Sequence, residues 1–492
     1  MATTFPISPL IPGGYSTVDA SALMASEGSA QRRTGAVIGE AALGATGTAH
    51  LFTSPKALQG VLRSGPAYDA ARFMFLGGAS RVIVVRAGST TEADADLAGT
   101  GGSPLTLTAK LSGAEGNEVK YEIDADNRVS LTYTDKWTGA GVAEVFEGGP
   151  DATPQHLADL INGKVSGVRA STLVSAQIKR TGNAPDAPVD GALPLTTTTA
   201  AESLTGGDDG DAPGTADFAD ALSVLESEDV DIIVAATGRA DIQASVIQHC
   251  NIMSTPAVRR ERTTVAGPAL GTKPAEVIAQ AGALNSSRAQ IVFPGASNFD
   301  ADGALKQWDA YYVAAFTAGR HLSVPDPATS LTSATFDWPD IELRLSAVPG
   351  GDQEKLLEAG VTPIAPMPSA GFQYVDSLST YKTDQSFRDF HKVRTADESA
   401  KRLRNRLATK FNGRKTTAGL RETIRNEAVA ELRDQVTEGL LVQARPPEVL
   451  ADPDNNRATL VNAAVLLPDT QKYILLTLSL QPPSTQGVGD IL

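Results

Sequence analysis

Apolar and polar positions follow three different patterns along the 492-residue chain. Residues 33–90 and 206–372 contain short, continuous apolar runs, among them Gly35–Gly39 and Val230–Ala235, with helical stretches between them. Continuous apolar runs of this length are typical of parallel strands buried on both faces, and their alternation with helices is typical of α/β domains. These two regions therefore predict a doubly wound, mostly parallel sheet.

Residues 91–205 follow a two-residue period instead. The segments Leu105–Leu111, Glu118–Asp124 and Arg128–Thr134 alternate apolar and polar side chains, and a turn at residues 125–127 separates the last two. Such alternation predicts strands with one face in a core and the other in solvent. The region therefore predicts an inserted β-sandwich or barrel.

Residues 373–492 mix both periods and predict an α+β domain. Residues 397–411 and 418–438 show the 3.6-residue period of two amphipathic helices, each followed by a glycine. Strand-like segments follow at 440–443, 459–467 and 472–480. The last of these segments is either an internal strand or the start of an extended terminal arm.

The first 20 residues combine three prolines with many apolar side chains. Pro6, Pro9 and Pro12 favour an extended backbone around them. Two interpretations stay open: a strand packed on its own domain, or an arm that packs on another copy. The segment contains more apolar residues than a solvated tail would carry. These residues include Ile7, Leu10, Ile11, Tyr15 and Val18.

The sequence offers little that points to catalysis or ligand binding. Its five histidines are scattered, its single cysteine is Cys250, and it contains no nucleophile elbow, phosphate-binding loop or zinc-protease motif. Gly206–Asp211 groups three carboxylates but lacks the Ca²⁺-loop register, so a turn between domains is favoured over a metal site. We therefore expect no enzymatic activity, no metal and no cofactor.

Charge is distributed unevenly. The chain carries −15 overall, which disfavours nucleic acid as a partner, and no apolar run is long enough to span a membrane. Residues 394–421 nevertheless carry nine Lys or Arg against two acids, which is +7. The first predicted helix therefore presents cations opposite its apolar stripe, and either solvent or an acidic partner would face them. These cations are Lys401, Arg402, Arg404, Arg406 and Lys410.

A series of short motifs resembles the tail sheath proteins of contractile phage tails and related injection systems. The matching segments occur in family order and cover nearly the whole chain. They are Pro12–Tyr15, Gly35–Glu40, Thr53–Ser54, Gly77–Arg86, Gly113–Asn117, Leu204–Gly210, Leu357–Val361 and Val393–Asp397.

This resemblance implies a fold of several domains. It implies a subtilisin-like α/β domain, an inserted β-sandwich and a C-terminal α+β assembly domain with extended terminal arms. The boundaries that we predict are 1–22 for the N-terminal arm, 23–90 for the first α/β portion, 91–205 for the insertion, 206–372 for the subtilisin-like domain, 373–470 for the assembly domain and 471–492 for the C-terminal strand and arm.

The resemblance also implies a mechanical function. Copies would form hexameric rings, stacked helically around an inner tail tube protein, and would contact baseplate and tail terminator proteins in a virion tail or injection particle assembled in the bacterial cytoplasm. Strand exchange through the arms would join neighbours, and the cationic helix would face the tube. The C-terminal arm residues implied in this exchange are Ile474, Leu476 and Leu478.

Two other classes of protein compete with this interpretation. One is an enzyme of the α/β hydrolase class, and the other is a different self-assembling protein, such as a capsid or surface-layer subunit. The ordered motif series favours the sheath interpretation over both.

Overall fold

The structure is a computed structural model that describes residues 33–134, 141–182, 187–367, 371–383, 385–415, 417–451 and 459–472. Its largest element is a nine-stranded mixed sheet. In spatial order the strands are β17 (Thr335–Phe336), β20 (Phe372–Tyr374), β19 (Val361–Pro366), β14 (Ala289–Phe293), β13 (Thr263–Ala266), β12 (Ile232–Ala235), β1 (Gly35–Gly39), β3 (Val82–Arg86) and β2 (Ala49–Phe52).

The six strands from β19 to β3 are parallel, which confirms the predicted mostly parallel sheet. β1 lies between β3 and β12, where Gly35 is in register with Val82 on one side and with Ile232 on the other. The chain segments before and after the insertion therefore build one sheet. Apolar side chains fill both faces of β1, with Val37 in one core cluster and Ile38 in another.

Helices cover both faces of this sheet, as expected for buried parallel strands. The helices of the described residues are α1 (Pro55–Leu62), α2 (Pro66–Leu76), α3 (Pro154–Ile161), α4 (Thr215–Leu225), α5 (Ala240–Met253), α6 (Pro274–Leu284), α7 (Ala310–Ser323), α8 (Asp352–Glu358), α9 (Phe390–Phe411) and α10 (Ala418–Thr437). Of these, α3 belongs to the insertion and packs in its core, and α9 and α10 form the C-terminal hairpin. On one face, α2 and α7 pack closely because Gly319 has no side chain: a Cβ there would lie 2.0 Å from the Met74 carbonyl oxygen.

The insertion contains two four-stranded sheets that share one core. The first sheet has the order β10 (Ala192–Leu195), β4 (Asp94–Thr100), β5 (Gly102–Ala109) and β9 (Val174–Ile178), and the second has the order β11 (Glu202–Ser203), β6 (Lys120–Asp124), β7 (Arg128–Thr134) and β8 (Gly141–Glu147). Leu105 and Leu107 from the first sheet and Val129 and Leu131 from the second enter this core, as the two-residue period predicts.

A small three-stranded sheet lies beside the main one. Its order is β16 (Leu305–Trp308), β15 (Ala296–Phe299) and β18 (Asp340–Ile341). Trp308 is buried there against Phe73 of α2, with ring centroids 4.8 Å apart. This contact extends the core beyond the main sheet.

The C-terminal region is a helical hairpin followed by two short two-stranded antiparallel sheets. β21 (Gln443–Ala444) pairs with β24 (Val465–Leu466), and β22 (Glu448–Ala451) pairs with β23 (Thr459–Asn462). α9 begins at Phe390, seven residues before the predicted start, and the predicted strand 459–467 is divided between β23 and β24. No helix in the described part of the chain is long and apolar enough to span a membrane.

Candidate assembly surfaces

The cationic side chains of α9 form ion pairs within the molecule. Arg406 contacts Glu427, Glu431 and Asp434 of α10 at 2.5–2.8 Å, and Lys410 also contacts Glu427. Arg402 contacts Glu431 at 3.2 Å and Glu438 at 2.6 Å. Carboxylates of α10 therefore face much of the positive charge that the sequence concentrates on α9.

Two further cations of α9 connect the hairpin to the main sheet domain. Arg404 forms a bidentate pair with Glu261 at 2.6 and 2.8 Å, just before β13. Lys401 contacts Asp229 at 3.2 Å, before β12. All five cations predicted to face a partner thus have an acidic neighbour in their own chain. The sequence alone does not show these pairs, because they form only when α9 packs against α10 and against the main sheet domain.

Asp397 and Arg394 add a buried part to the same contact. Arg288, which precedes β14, donates to both oxygens of Asp397 at 2.6 and 3.0 Å. Burial raises the pKa of Asp397, while the guanidinium of Arg288 opposes that rise. Arg394 donates to the His321 carbonyl oxygen at 2.7 Å, and burial holds the pKa of His321 well below its usual range. Charged contacts therefore hold α9 against the amino-terminal ends of the parallel strands β12, β13 and β14.

Cations without a described acidic partner lie at the tip of the hairpin. The α9–α10 loop contains Arg414 and Lys415, and Arg421 lies in the first turn of α10. None of the three forms an ion pair with any acidic residue in the described ranges. The tip therefore presents positive charge that α10 does not neutralise. In the sequence these three residues belong to the same cationic stretch as α9, residues 394–421, and no local signal separates them from it.

The two short C-terminal sheets leave apolar side chains exposed. Leu450 and Leu460 face each other across β22 and β23 and are 44% and 41% exposed. Val442 and Leu466 beside the other sheet are 54% and 53% exposed. Between α10 and β21 lies a groove of about 420 Å³, lined by Leu432, Val436, Val442 and Pro446 among others. Within the described ranges each of the four strands has one unpaired edge.

Both ends of the insertion meet the main domain at a single junction. The side-chain amide of Asn117 donates to the Gly207 carbonyl at 2.8 Å and accepts from the Gly207 N–H at 2.9 Å. Gly113 lies at φ +73°, and a Cβ there would lie 1.9 Å from an Asp209 oxygen. The motifs Gly113–Asn117 and Leu204–Gly210, which are far apart in sequence, are thus in direct contact.

The acidic run within the second motif acts as a turn at this junction. Asp209 accepts from the Ala114 N–H at 3.2 Å and lies 3.6 Å from Arg86 at the end of β3, and Thr91 bridges to Asp208. The predicted turn between domains agrees with these contacts. In the described part of the chain, no cluster of three or more His, Cys, Asp or Glu could hold a metal ion.

The predicted arm residues lie outside the described residues. This applies to Ile7, Leu10, Ile11, Tyr15 and Val18 at the start of the chain and to Ile474, Leu476 and Leu478 near its end. Their role in joining neighbours stays a prediction. The same holds for Lys401, Arg402, Arg404, Arg406 and Lys410 as tube-facing residues, although their ion pairs are now known.

No family model matches the chain. The chain is 29% identical over 236 residues to the tail sheath protein of Bacillus phage SP01, and the match covers 46% of this chain and 40% of the phage protein. The chain therefore spans well under half of the length of that curated relative.

Solved structures extend the likeness to most of the chain. The sheath tail protein of Listeria innocua matches with a TM-score of 0.64 and 19% identity, over 89% of this chain and 92% of that chain. The helical sheath of the anti-feeding prophage in its contracted state matches with a TM-score of 0.54 and 10% identity, over 96% of this chain and 100% of that chain. These structural matches concern the fold. The resemblance to tail sheath proteins that the motifs predict is confirmed, as is a mixed α and β fold of several domains.

Proposed function

We propose that this chain is a structural subunit of a contractile tail sheath, in a phage tail or a related injection particle. The observation that carries the proposal is the likeness of fold to sheath proteins over most of the chain, one of them in a contracted helical sheath. The sequence likeness to a phage tail sheath protein supports it. A mechanical subunit needs no chemical step, so the proposal assigns the chain no catalytic activity and no cofactor.

In this proposal the copies form hexameric rings that stack helically around an inner tail tube protein, with baseplate and tail terminator proteins at the ends. Head-to-tail contacts of this type propagate into an open helix. Contraction is a rigid-body rearrangement between two packings of the same subunits, and it drives the tube through a cell envelope. We assign a subtilisin-like architecture to the nine-stranded sheet domain and a β-sandwich to the insertion.

The joints between copies are strand additions. Residues 1–22 and 471–492 act as arms, and the sheets formed by β21–β24 and β22–β23 of neighbouring copies accept them. Unpaired strand edges supply the main-chain hydrogen bonds, and side-chain pockets set the register. Exposed Leu450, Leu460 and Leu466 and the groove beside α10 support this assignment, since an added strand with apolar side chains would cover them.

Deletion of residues 1–20 tests the joints. Because the proposed arm packs on a neighbouring copy, we expect the deletion variant to keep the thermal unfolding transition of the full-length monomer. It should remain monomeric where the full chain forms tubes in negative-stain electron microscopy. Normal tubes from the deletion variant would contradict the assignment of the N-terminal arm.

The α9–α10 hairpin faces the tube. Its predicted tube-facing residues, Lys401 to Lys410, would contribute only roughly 0–1 kcal/mol for each exposed pair, but every subunit repeats the contact. Arg414 and Lys415 at the tip are the sharper test, because reversing their charge breaks no described ion pair. Arg414→Glu with Lys415→Glu should reduce co-sedimentation with purified tubes, whereas Lys56→Glu on α1 should not. Equal co-sedimentation would contradict this orientation.

A further inference from the structure

Lys472, the last described residue of the C-terminal segment, sits between two carboxylates of the preceding region. Its ammonium lies 2.8 Å from Asp376 Oδ2 and 2.6 Å from Asp389 Oδ1. The side chains of Lys472, Asp376 and Asp389 are 22%, 15% and 12% exposed. This is therefore a largely enclosed ion cluster and not a surface pair.

Both carboxylates are held in place by their own neighbours. Asp376 accepts from the Thr332 hydroxyl at 2.7 Å and from the Ser377 N–H at 2.8 Å. Asp389 immediately precedes α9 and forms an isolated β-bridge with Leu378. Because both oxygens contact the same nitrogen, the two carboxylates are held within about 6 Å of each other, and like charges that close need a cation between them. Lys472 supplies that cation.

A second lysine strengthens the same contact. Lys392, in the first turn of α9, lies 3.4 Å from Asp389 and also contacts Asp469. His391 Nε2 lies 3.4 Å from the Thr470 hydroxyl. Burial alone would raise the pKa of Asp389, but hydrogen bonding and attraction from Lys472 lower it, so the carboxylate is charged at neutral pH. Residues 469–472 are thus bound at two neighbouring points.

This ion cluster joins the start of the C-terminal region to its end. Asp389 is where the chain enters the C-terminal hairpin, and Lys472 is where the described chain leaves it, 83 residues later. Between them lie α9, α10 and the two short sheets. The ion cluster therefore closes this whole region into a loop whose entrance and exit are fixed side by side on the sheet domain.

We propose that Asp376, Lys472 and Asp389 form a staple that passes force on the C-terminal arm directly to the main sheet domain. Without the staple, a pull on residues beyond 472 would first load the β21–β24 pair, which is joined over only two residues per strand. With the staple in place, the pull passes from Lys472 to Asp376, which follows β20, and to Asp389, which precedes α9. The mechanical role rests on the proposed function, because it requires the arm to join neighbouring copies.

Lys472→Met tests the staple, since it removes the charge and keeps most of the length of the side chain. In monomeric full-length protein we expect amide hydrogen exchange of residues 465–472 to accelerate roughly tenfold or more, because a largely buried charge pair loses one partner. Lys472→Arg should exchange as the unaltered chain does, because a guanidinium can bridge both carboxylates. Lys415→Met controls for loss of a lysine elsewhere. Unchanged exchange in Lys472→Met would overturn the staple.

Assembled tubes test the mechanical part. Tubes of Lys472→Met should form but dissociate at a lower guanidinium concentration than tubes of Lys472→Arg. Equal resistance would overturn the force path even if exchange in the monomer is faster. If Lys472→Met does not fold, the double variant Asp389→Asn with Lys472→Met removes the repulsion and must show the same two effects. If the unaltered chain forms no tubes, the proposed function fails while the exchange result still decides whether the staple exists.

Discussion

The contact between Arg288 and Asp397 gives the sharpest prediction about how the C-terminal hairpin is held. Its two hydrogen bonds, of 2.6 and 3.0 Å, join the residue directly before β14 to Asp397 in α9. The two side chains are 17% and 20% exposed. Arg288→Met keeps much of the volume and leaves the carboxylate of Asp397 without this partner.

The expected cost follows from burial. Removing one partner of a buried ion pair costs about 3–5 kcal/mol, and the residual exposure of both groups places this pair near the lower end, at about 3 kcal/mol. For domains of 150–250 residues each kcal/mol lowers Tm by about 2–4 °C, so we expect a decrease of about 6–12 °C.

The cost also depends on pH. Burial raises the pKa of Asp397 in the folded protein, so folding favours the protonated acid there. Loss of Arg288 removes the group that opposes this rise. As pH falls below the raised folded-state pKa towards the lower pKa of the unfolded chain, the unpaired carboxylate becomes neutral and its penalty shrinks. The difference in Tm between Arg288→Met and the unaltered chain should therefore be smaller at pH 4.5 than at pH 7.

Differential scanning calorimetry at the two pH values measures both effects. Arg421→Met, which removes an arginine without a described acidic partner, should leave Tm nearly unchanged. The double variant Arg288→Met with Asp397→Leu should recover most of the loss, because no buried charge is left unpaired. A Tm for Arg288→Met within about 1 °C of the unaltered chain at pH 7 would refute the reasoning.

Three further predictions concern other contacts. Asn117→Ala removes both hydrogen bonds to Gly207 and should lower stability by about 1–3 kcal/mol and speed proteolysis at the junction; unchanged proteolysis would count against a role there. Gly319→Ala should lower Tm, because its Cβ meets the Met74 carbonyl, whereas Gly282→Ala on α6, with nothing within 4 Å, should raise stability by about 0.5–1 kcal/mol; equal shifts would contradict the close packing of α2 and α7. Burial, aided by Arg262, lowers the pKa of His249 to about 4, so protonation favours the unfolded chain and stability should fall as pH drops from 6.5 towards 4. His249→Gln should flatten that part of the Tm–pH profile, and an unchanged profile would show that another group is responsible.

The sequence predicted the main sheet well because burial on both faces leaves continuous apolar runs. Gly35–Gly39 and Ala289–Phe293 are strands with the predicted bounds, and their neighbours follow a parallel order. The strands of the insertion were equally predictable, since buried and exposed side chains alternate along Lys120–Asp124 and Arg128–Thr134. In both regions the pattern of apolar residues in the sequence matches the burial of those residues in the fold.

The start of α9 was missed because its first turns are polar in sequence yet buried. His391, Arg394 and Thr395 are between 0% and 8% exposed although they are polar, so no apolar stripe marks them. Arg394 bonds to the distant His321 carbonyl, and the Thr395 hydroxyl bonds within the helix to the His391 carbonyl. Short strands were also hard to place: β22 was not predicted, and β21 begins at Gln443, where the predicted strand ends. Two-stranded sheets of this size leave little periodicity to detect.

The candidate sites show the same limit. The cationic stripe was visible in the sequence, but its acidic partners become neighbours only in the fold: Glu261 and Asp229 lie more than 100 residues away, and the others lie on the next helix, α10. The Lys472 staple had no local signal at all, since each of its three residues is an ordinary charged side chain in its own segment. Long-range ion pairs of this kind require the tertiary structure.

The central claim, that copies of this chain build a sheath, is tested most directly by electron microscopy of the purified full-length protein at increasing concentration. We predict hollow tubes of uniform width, built from stacked rings and wide enough to surround a second tube. Monomers that stay dispersed at every concentration, alone and with purified tail tubes, would contradict it.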